Sequence, residues 1–251
     1  MSESTLEAPP FAESAIPDRP PPPEPVPWTL RKFMREHPWW TTTVALVLLS
    51  AVFVRWAGTR PSYDAYGWLV WGYQSLHLHL DLGGAPSWKP LPLLFTFPFA
   101  LFGHYSLWLW MITAVAISFA GAIFGGRIAY RLIGGSPERH WAAIAAAVFA
   151  GAAVLGIEDD MHYILSVQSD PMIVTFCLAA IDCHLSGKYR WAFVMGVLAA
   201  LGRPETFPFL GLYSIWAFVK VPSMRWLLYA GWFLIVFMWF GIPEITNHNP
   251  L

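Results

Sequence analysis

Seven apolar runs fill most of the chain between residues 39 and 242: Trp39 to Trp56, Leu107 to Tyr130, Trp141 to Ile157, Met172 to Leu185, Trp191 to Leu201, Phe207 to Val219 and Trp226 to Ile242. A bilayer leaves no water to satisfy backbone N–H and C=O groups, so only helices and closed barrels can occupy it. The runs are continuous rather than alternating, which points to helices. A crossing takes about 20 apolar residues and seldom fewer than 17. The runs 191–201 and 207–219 are shorter. They are read as a hairpin turning at Arg203-Pro204-Glu205, with helices that extend past the runs or stop in the outer leaflet. The expected fold class is all-α, a polytopic transmembrane bundle of about seven spans over residues 39–251.

One more apolar stretch, Leu91 to Phe102, carries Pro92 and Pro98. Proline inside a helix removes a hydrogen bond and breaks it, so this stretch is expected as a juxtamembrane or re-entrant helix within a first outer loop, 58–105. Counting it as a crossing would invert every later segment.

Composition supports a membrane protein. Hydrophobic residues make up 56% and charged residues 12%, about half the share of charge in soluble domains. A formal charge of -1 gives no basic field, so nucleic acid is excluded as a partner. Cys177 and Cys183 match neither a disulfide framework nor a zinc spacing and read as packing residues.

Residues 1–38 hold ten of the 22 prolines, five acidic residues between Glu3 and Glu24, and few large apolar side chains. Such a segment cannot bury enough surface to order itself, and it lacks the pattern of a signal peptide. It reads as a disordered cytoplasmic tail. Arg31, Lys32 and Arg35 close it, and by the positive-inside rule they hold the N-terminus in the cytoplasm. Seven spans then put Arg127, Arg131, Arg139, Lys188, Arg190, Lys220 and Arg225 on inner ends, and Arg55, Arg60, Lys89 and Arg203 on outer ones. The excess of arginine over lysine points to a GC-rich bacterial genome, hence to a bacterial cytoplasmic membrane.

Eight carboxylates share the outer side, and ionisable groups at membrane boundaries are functional candidates by default. Asp64 follows the first span, next to Trp68, Trp71 and Tyr73, rings that suit a helix in the headgroup layer. A carboxylate among aromatic rings loses solvation and becomes a better proton acceptor; helix capping is the alternative. Lys89, in Trp88-Lys89-Pro90-Leu91-Pro92, can meet a phosphate at headgroup depth or snorkel as an anchor. Glu158, Asp159, Asp160 and His162 form either a solvated acidic loop or part of a magnesium or manganese shell. Asp170 before Pro171 reads equally as a helix N-cap with proline at N1. Arg203 and Glu205 are close enough in sequence to pair. His77 and His79 read as interfacial polar residues.

In order, these features resemble the GT-C superfamily of integral-membrane glycosyltransferases, which includes protein O-mannosyltransferases and aminoarabinose transferases. The likeness covers about 40–251, the N-terminal module of that superfamily. It implies transfer of a sugar from a polyprenyl-phosphate donor to an acceptor hydroxyl outside the membrane. By position, Asp64 resembles the catalytic base and Lys89 the donor-phosphate ligand, with Arg60 or Arg203 assisting. Glu158, Asp159 and Asp160 resemble an acidic motif that binds a divalent metal in some members. Asp64-Ala65 stands where the O-mannosyltransferase branch has adjacent acidic residues, and Lys89-Pro90-Leu91-Pro92 where relatives often have consecutive prolines, so the subfamily stays open. Members usually continue with further spans and an outer domain. The chain is therefore expected to be either a fragment of a longer enzyme or a short protein, working with a missing C-terminal portion or a further membrane subunit. A non-catalytic polytopic protein that binds polyprenyl-phosphate lipid, or serves as an assembly subunit, is the competing class.

Overall fold

The computed structural model describes residues 30–84, 87–134 and 137–247, and every regular element among them is helical. The chain divides into two units, 1–40 and 41–251. In the first, α1 (Leu30–Glu36) is helical, whereas the sequence reading carried the disordered tail on to residue 38. Lys32 and Glu36 pair across its surface at 3.9 Å, the i,i+4 spacing that supports short helices. Residues 1–29, where that reading otherwise rests, lie outside the described residues.

After α2 (Pro38–Ala57) come α3 (Tyr63–Leu76) and α4 (Pro90–Phe99), within the stretch expected as a first outer loop. Pro90 and Pro92 sit in the first turn of α4, where backbone N–H groups have no intrahelical partner. Pro98 deletes a hydrogen bond near the other end, and the helix passes into a 3-10 segment, Ala100–Tyr105. There Gly103, at φ 54° and ψ -123°, takes a conformation that side chains resist and turns the chain into α5 (Ser106–Ile133). The α4 helix is thus about 15 Å long, too short to cross.

The remaining helices are α6 (His140–Leu155), α7 (Asp160–Leu165), α8 (Asp170–Leu185), α9 (Tyr189–Gly202), α10 (Phe207–Lys220), α11 (Arg225–Val236) and α12 (Ile242–Asn247). A π-helical turn, Phe237–Gly241, joins the last two. Among the described residues three helical segments are long and apolar enough to cross a membrane: Pro38–Ala57, Pro90–Ile133 and Pro222–Thr246. The helices α6, α8, α9 and α10 have 14 to 16 residues. They reach only about 21–24 Å, short of a hydrocarbon core of about 30 Å.

Helix directions follow from side-chain registers. Gly126 lies against Ala147, and Gly151 against Ala122, so α5 and α6 are antiparallel. The Thr175 hydroxyl donates to the Ser118 carbonyl, and Arg127 reaches Asp182, a near-constant offset that makes α5 and α8 parallel. Gly202 packs on Ile173 while Tyr189 packs on His184, which reverses α9 relative to α8. Leu210 meets Gly196 and the Tyr213 hydroxyl donates to the Tyr189 carbonyl, so α10 reverses again. These reversals gather the start of α8, the end of α9 and the start of α10 at one end of the bundle. The last turns of α5 and α8 lie at the other.

Leu48, Val52, Phe149, Leu212, Ile215 and Phe233 all point outward, each more than half exposed. Lipid, rather than water, suits such an exterior.

The α3–α4 contact is close: a Cβ on Gly72 would lie 2.5 Å from the Thr96 carbonyl oxygen. Gly72→Ala is therefore expected to push the two helices apart. Overpacking of about 1–3 kcal/mol should lower the thermal midpoint in detergent by several degrees. The control is Gly211→Ala, whose Cβ meets only Trp232 at 4.0 Å and which should melt no lower than the parent. Equal melting of both variants would refute this packing.

Candidate functional site

At the end of the bundle where α8 starts, polar side chains from three separate chain segments meet. Asp170 belongs to the first turn of α8, one residue after its N-cap, Ser169. The expectation that Asp170 itself caps the helix is thus off by one residue, with a chemical consequence. A capping side chain is turned back onto its own backbone, whereas Asp170 reaches across to other elements. Arg203, where α9 ends in extended backbone ahead of Pro204, donates from Nε to Asp170 Oδ1 at 2.9 Å, and its Nη2 contacts the same oxygen. Lys89, the N-cap of α4, places Nζ 3.6 Å from Asp170 Oδ2 and donates to Ser169 Oγ at 3.4 Å. Glu205 meets Arg203 Nη1 at 3.6 Å.

Exposure grades outward through this cluster. The side chains of Lys89 and Asp170 are 15% and 25% exposed, those of Arg203 and Glu205 45% and 68%. Water screens the outer pair most, so the Lys89–Asp170–Arg203 bridge carries the electrostatics. The hydrogen bond to Asp170 raises the pKa of the Arg203 guanidinium against burial, which lowers it.

Trp68 forms the floor beneath Lys89. Its ring is fully buried, stacks edge-on with Trp110, and lies 5.5 Å from Lys89 Nζ, within the range of a cation–π contact. Trp71 is buried as well and packs on Trp88. Only Tyr73 of the three rings expected at a lipid interface is exposed; the two tryptophans are core residues. Trp88 in turn donates from Nε1 to the Met238 carbonyl within the π-helical turn.

Asp64 sits in the first turn of α3, whose N-cap is Ser62. Capping is therefore not its role. It is half-buried and lies one helical turn before Trp68 on the same face of α3. The backbone N–H of Ser62 donates to the Ser166 carbonyl at 2.9 Å, tying the start of α3 to the end of α7. Arg60 is exposed and makes no ion pair among the described residues.

The acidic run does not converge. Glu158, Asp159 and His162 are exposed, while Asp160 is 7% exposed and turned inward. Asp159 adopts φ 61° as the N-cap of α7, which separates its direction from that of Asp160. No group of three His, Cys, Asp or Glu side chains able to hold a metal ion occurs among the described residues. The three consecutive carboxylates therefore do not point to one common centre.

Ser169 and the floor position of Trp68 went unread in the sequence. The backbone between α7 and α8 is strained. Val167, buried, has φ 59°, a conformation that costs a β-branched residue about 1–3 kcal/mol. Strain of this size is tolerated where neighbouring structure fixes it, here just ahead of Ser169 and Asp170.

No family model, curated protein or solved structure matches the chain.

Burial raises the pKa of Asp160. A carboxyl with a raised folded pKa binds its proton more tightly in the native state, so stability falls as pH rises through the ordinary value of 3.8 toward the folded one. Asp160→Asn should therefore melt higher than the parent at pH 7, with the gap closing as pH drops to about 4. A gap independent of pH would show that the carboxylate carries no burial penalty.

Proposed function

We propose that the chain is a GT-C-like membrane glycosyltransferase, or the N-terminal module of one, which transfers a sugar from a polyprenyl-phosphate donor to an acceptor hydroxyl. The observation that carries this reading is the convergence of Lys89 and Arg203, from segments more than 100 residues apart, on Asp170, with Lys89 over the Trp68 ring of α3, the helix whose first turn holds Asp64. A cationic pair at one end of an apolar bundle suits a lipid-linked phosphate, whose tail lies among the helices while its charge stays at the boundary.

In the proposed reaction the acceptor oxygen attacks the anomeric carbon as Asp64 takes the hydroxyl proton. The bond from that carbon to the phosphate oxygen breaks, and its electron pair leaves with the phosphate. Lys89 and Arg203 stabilise the charge that gathers there. Asp170 and Ser169 position the two cations. In this reading all seven apolar helices cross a bacterial cytoplasmic membrane, the shorter four by local thinning, with the N-terminus inside and the cluster outside.

The test uses the chain in proteoliposomes with radiolabelled mannosyl and arabinosyl polyprenyl phosphates, alongside binding of polyprenyl phosphate itself. Asp64→Asn should reduce transfer at least about 100-fold and leave polyprenyl-phosphate binding intact. Lys89→Ala should weaken binding about tenfold, the loss of one charge-assisted hydrogen bond. Unchanged transfer in Asp64→Asn removes the base. A parent chain that binds the lipid and transfers no sugar is a lipid-binding subunit instead.

A further inference from the structure

A second charged cluster lies at the opposite end of the bundle, where α5 and α8 finish. Asp182, its side chain 3% exposed, lies in the last turn of α8. Arg127 donates from Nε to Asp182 Oδ2 at 3.2 Å, and Arg131 Nε lies 3.3 Å from Oδ1. Arg131 also donates to the Ser186 hydroxyl at 2.6 Å. Burial of one carboxylate explains why an arginine is present. Two arginines share that one carboxylate at the end of α5.

Both arginine side chains remain about one-third exposed, at 37% and 33%. They edge an open groove of about 600 Å³ between α5 and α6. The groove is amphipathic along its length. Arg127, Tyr130 and Arg131 form its polar end, at the C-terminus of α5, where helix carbonyls favour cations. Ala122, Ile123 and Val148 form the apolar wall that runs from there toward the middle of the bundle. From Ala122 to Arg131 the wall rises about 13 Å. Gly126 and Ala147 bring the two backbones close together along the groove and present only small groups.

We propose that this groove binds an anionic phospholipid from the leaflet in which α5 ends, its phosphate held by Arg127 and Arg131 and one acyl chain lying on Ala122, Ile123 and Val148. The two guanidiniums at the polar end favour an anion, and the apolar wall selects a lipid over a free phosphate. The site stands apart from the proposed donor site: Asp170 and Asp182, at the two ends of α8, are separated by about 18 Å along the helix.

The experiment is native mass spectrometry of the full chain in detergent, titrated with phosphatidylglycerol or with phosphatidylcholine. The parent chain should retain one phosphatidylglycerol with a preference of about fivefold over phosphatidylcholine, as expected for one basic charge near a lipid surface. Arg131→Gln keeps the Arg127–Asp182 pair and should abolish the preference. Val148→Trp fills the apolar wall from the lipid side, leaves every charge in place, and should weaken binding of both lipids. Arg190→Gln, a basic residue outside the groove, should change nothing. Equal retention of both lipids by the parent chain overturns the proposal. So does a preference that survives Arg131→Gln, or one lost equally in Arg190→Gln, which would signify a general basic surface. Displacement of the lipid by millimolar inorganic phosphate, with normal binding in Val148→Trp, would mark a bare phosphate site and overturn the lipid assignment.

Discussion

The close approach of α5 to α6 and α8 governs the arrangement of everything else. At Gly126 and Gly151 a side chain would collide with the backbone of the facing helix, and at Gly121 with the Thr175 hydroxyl. Lipid offers no hydrophobic drive for helices to associate, so intimate packing of small residues must supply it. Once α5 and α8 lie parallel at that distance, residues offset by about 55 positions become neighbours. Arg127 then meets Asp182 and Arg131 meets Ser186. The same register sends the start of α8, with Asp170, to the opposite end. One packing interface thus separates two charged layers that the chain order interleaves.

Much of the helical organisation is legible in the sequence, because continuous apolar runs bounded by prolines and charges have few alternatives. Each of the seven runs contains a helix, and Pro92 and Pro98 do restrict Leu91 to Phe102 to a short one. Helix ends follow the runs to within three residues, with the π-helical turn counted as part of the last, and the helices at 191–201 and 207–219 extend past their apolar runs, one of the two arrangements expected for them. Four of the helices end after 14 to 16 residues, since apolar composition does not fix how far flanking residues join the helix. The α1 helix escaped notice for a related reason: seven residues beside a proline-rich stretch are dominated by the composition around them.

Site residues were legible in type and less so in partnership. Lys89, Asp170 and Arg203 stand out individually as boundary charges, yet nothing in their spacing joins them. The join is made by helix reversals. Three consecutive carboxylates suggested a metal shell, but a helical first turn that follows a left-handed residue sends Asp159 and Asp160 different ways. Trp68 and Trp71 looked interfacial because amphipathic rings favour that layer. Here Trp110 of α5 packs on Trp68 and Trp88 packs on Trp71, which turns a candidate membrane surface into a protein interior.

The two bonds that Asp170 makes are unequal, and that inequality bears on how the proposed site would work. Arg203 is held by a hydrogen bond of 2.9 Å and by a second nitrogen on the same oxygen, whereas Lys89 stands at 3.6 Å from the other oxygen. A phosphate brings more charge than one carboxylate and several acceptor oxygens, so it competes for whichever cation is bound less tightly. That cation is Lys89. Its ammonium, on a flexible stem, can pivot about the Trp68 ring without disturbing the Arg203 fork. The Asp170–Arg203 pair would then remain as the fixed wall that keeps the second cation oriented. Asp170 serves the proposed chemistry by holding one cation firmly and the other loosely.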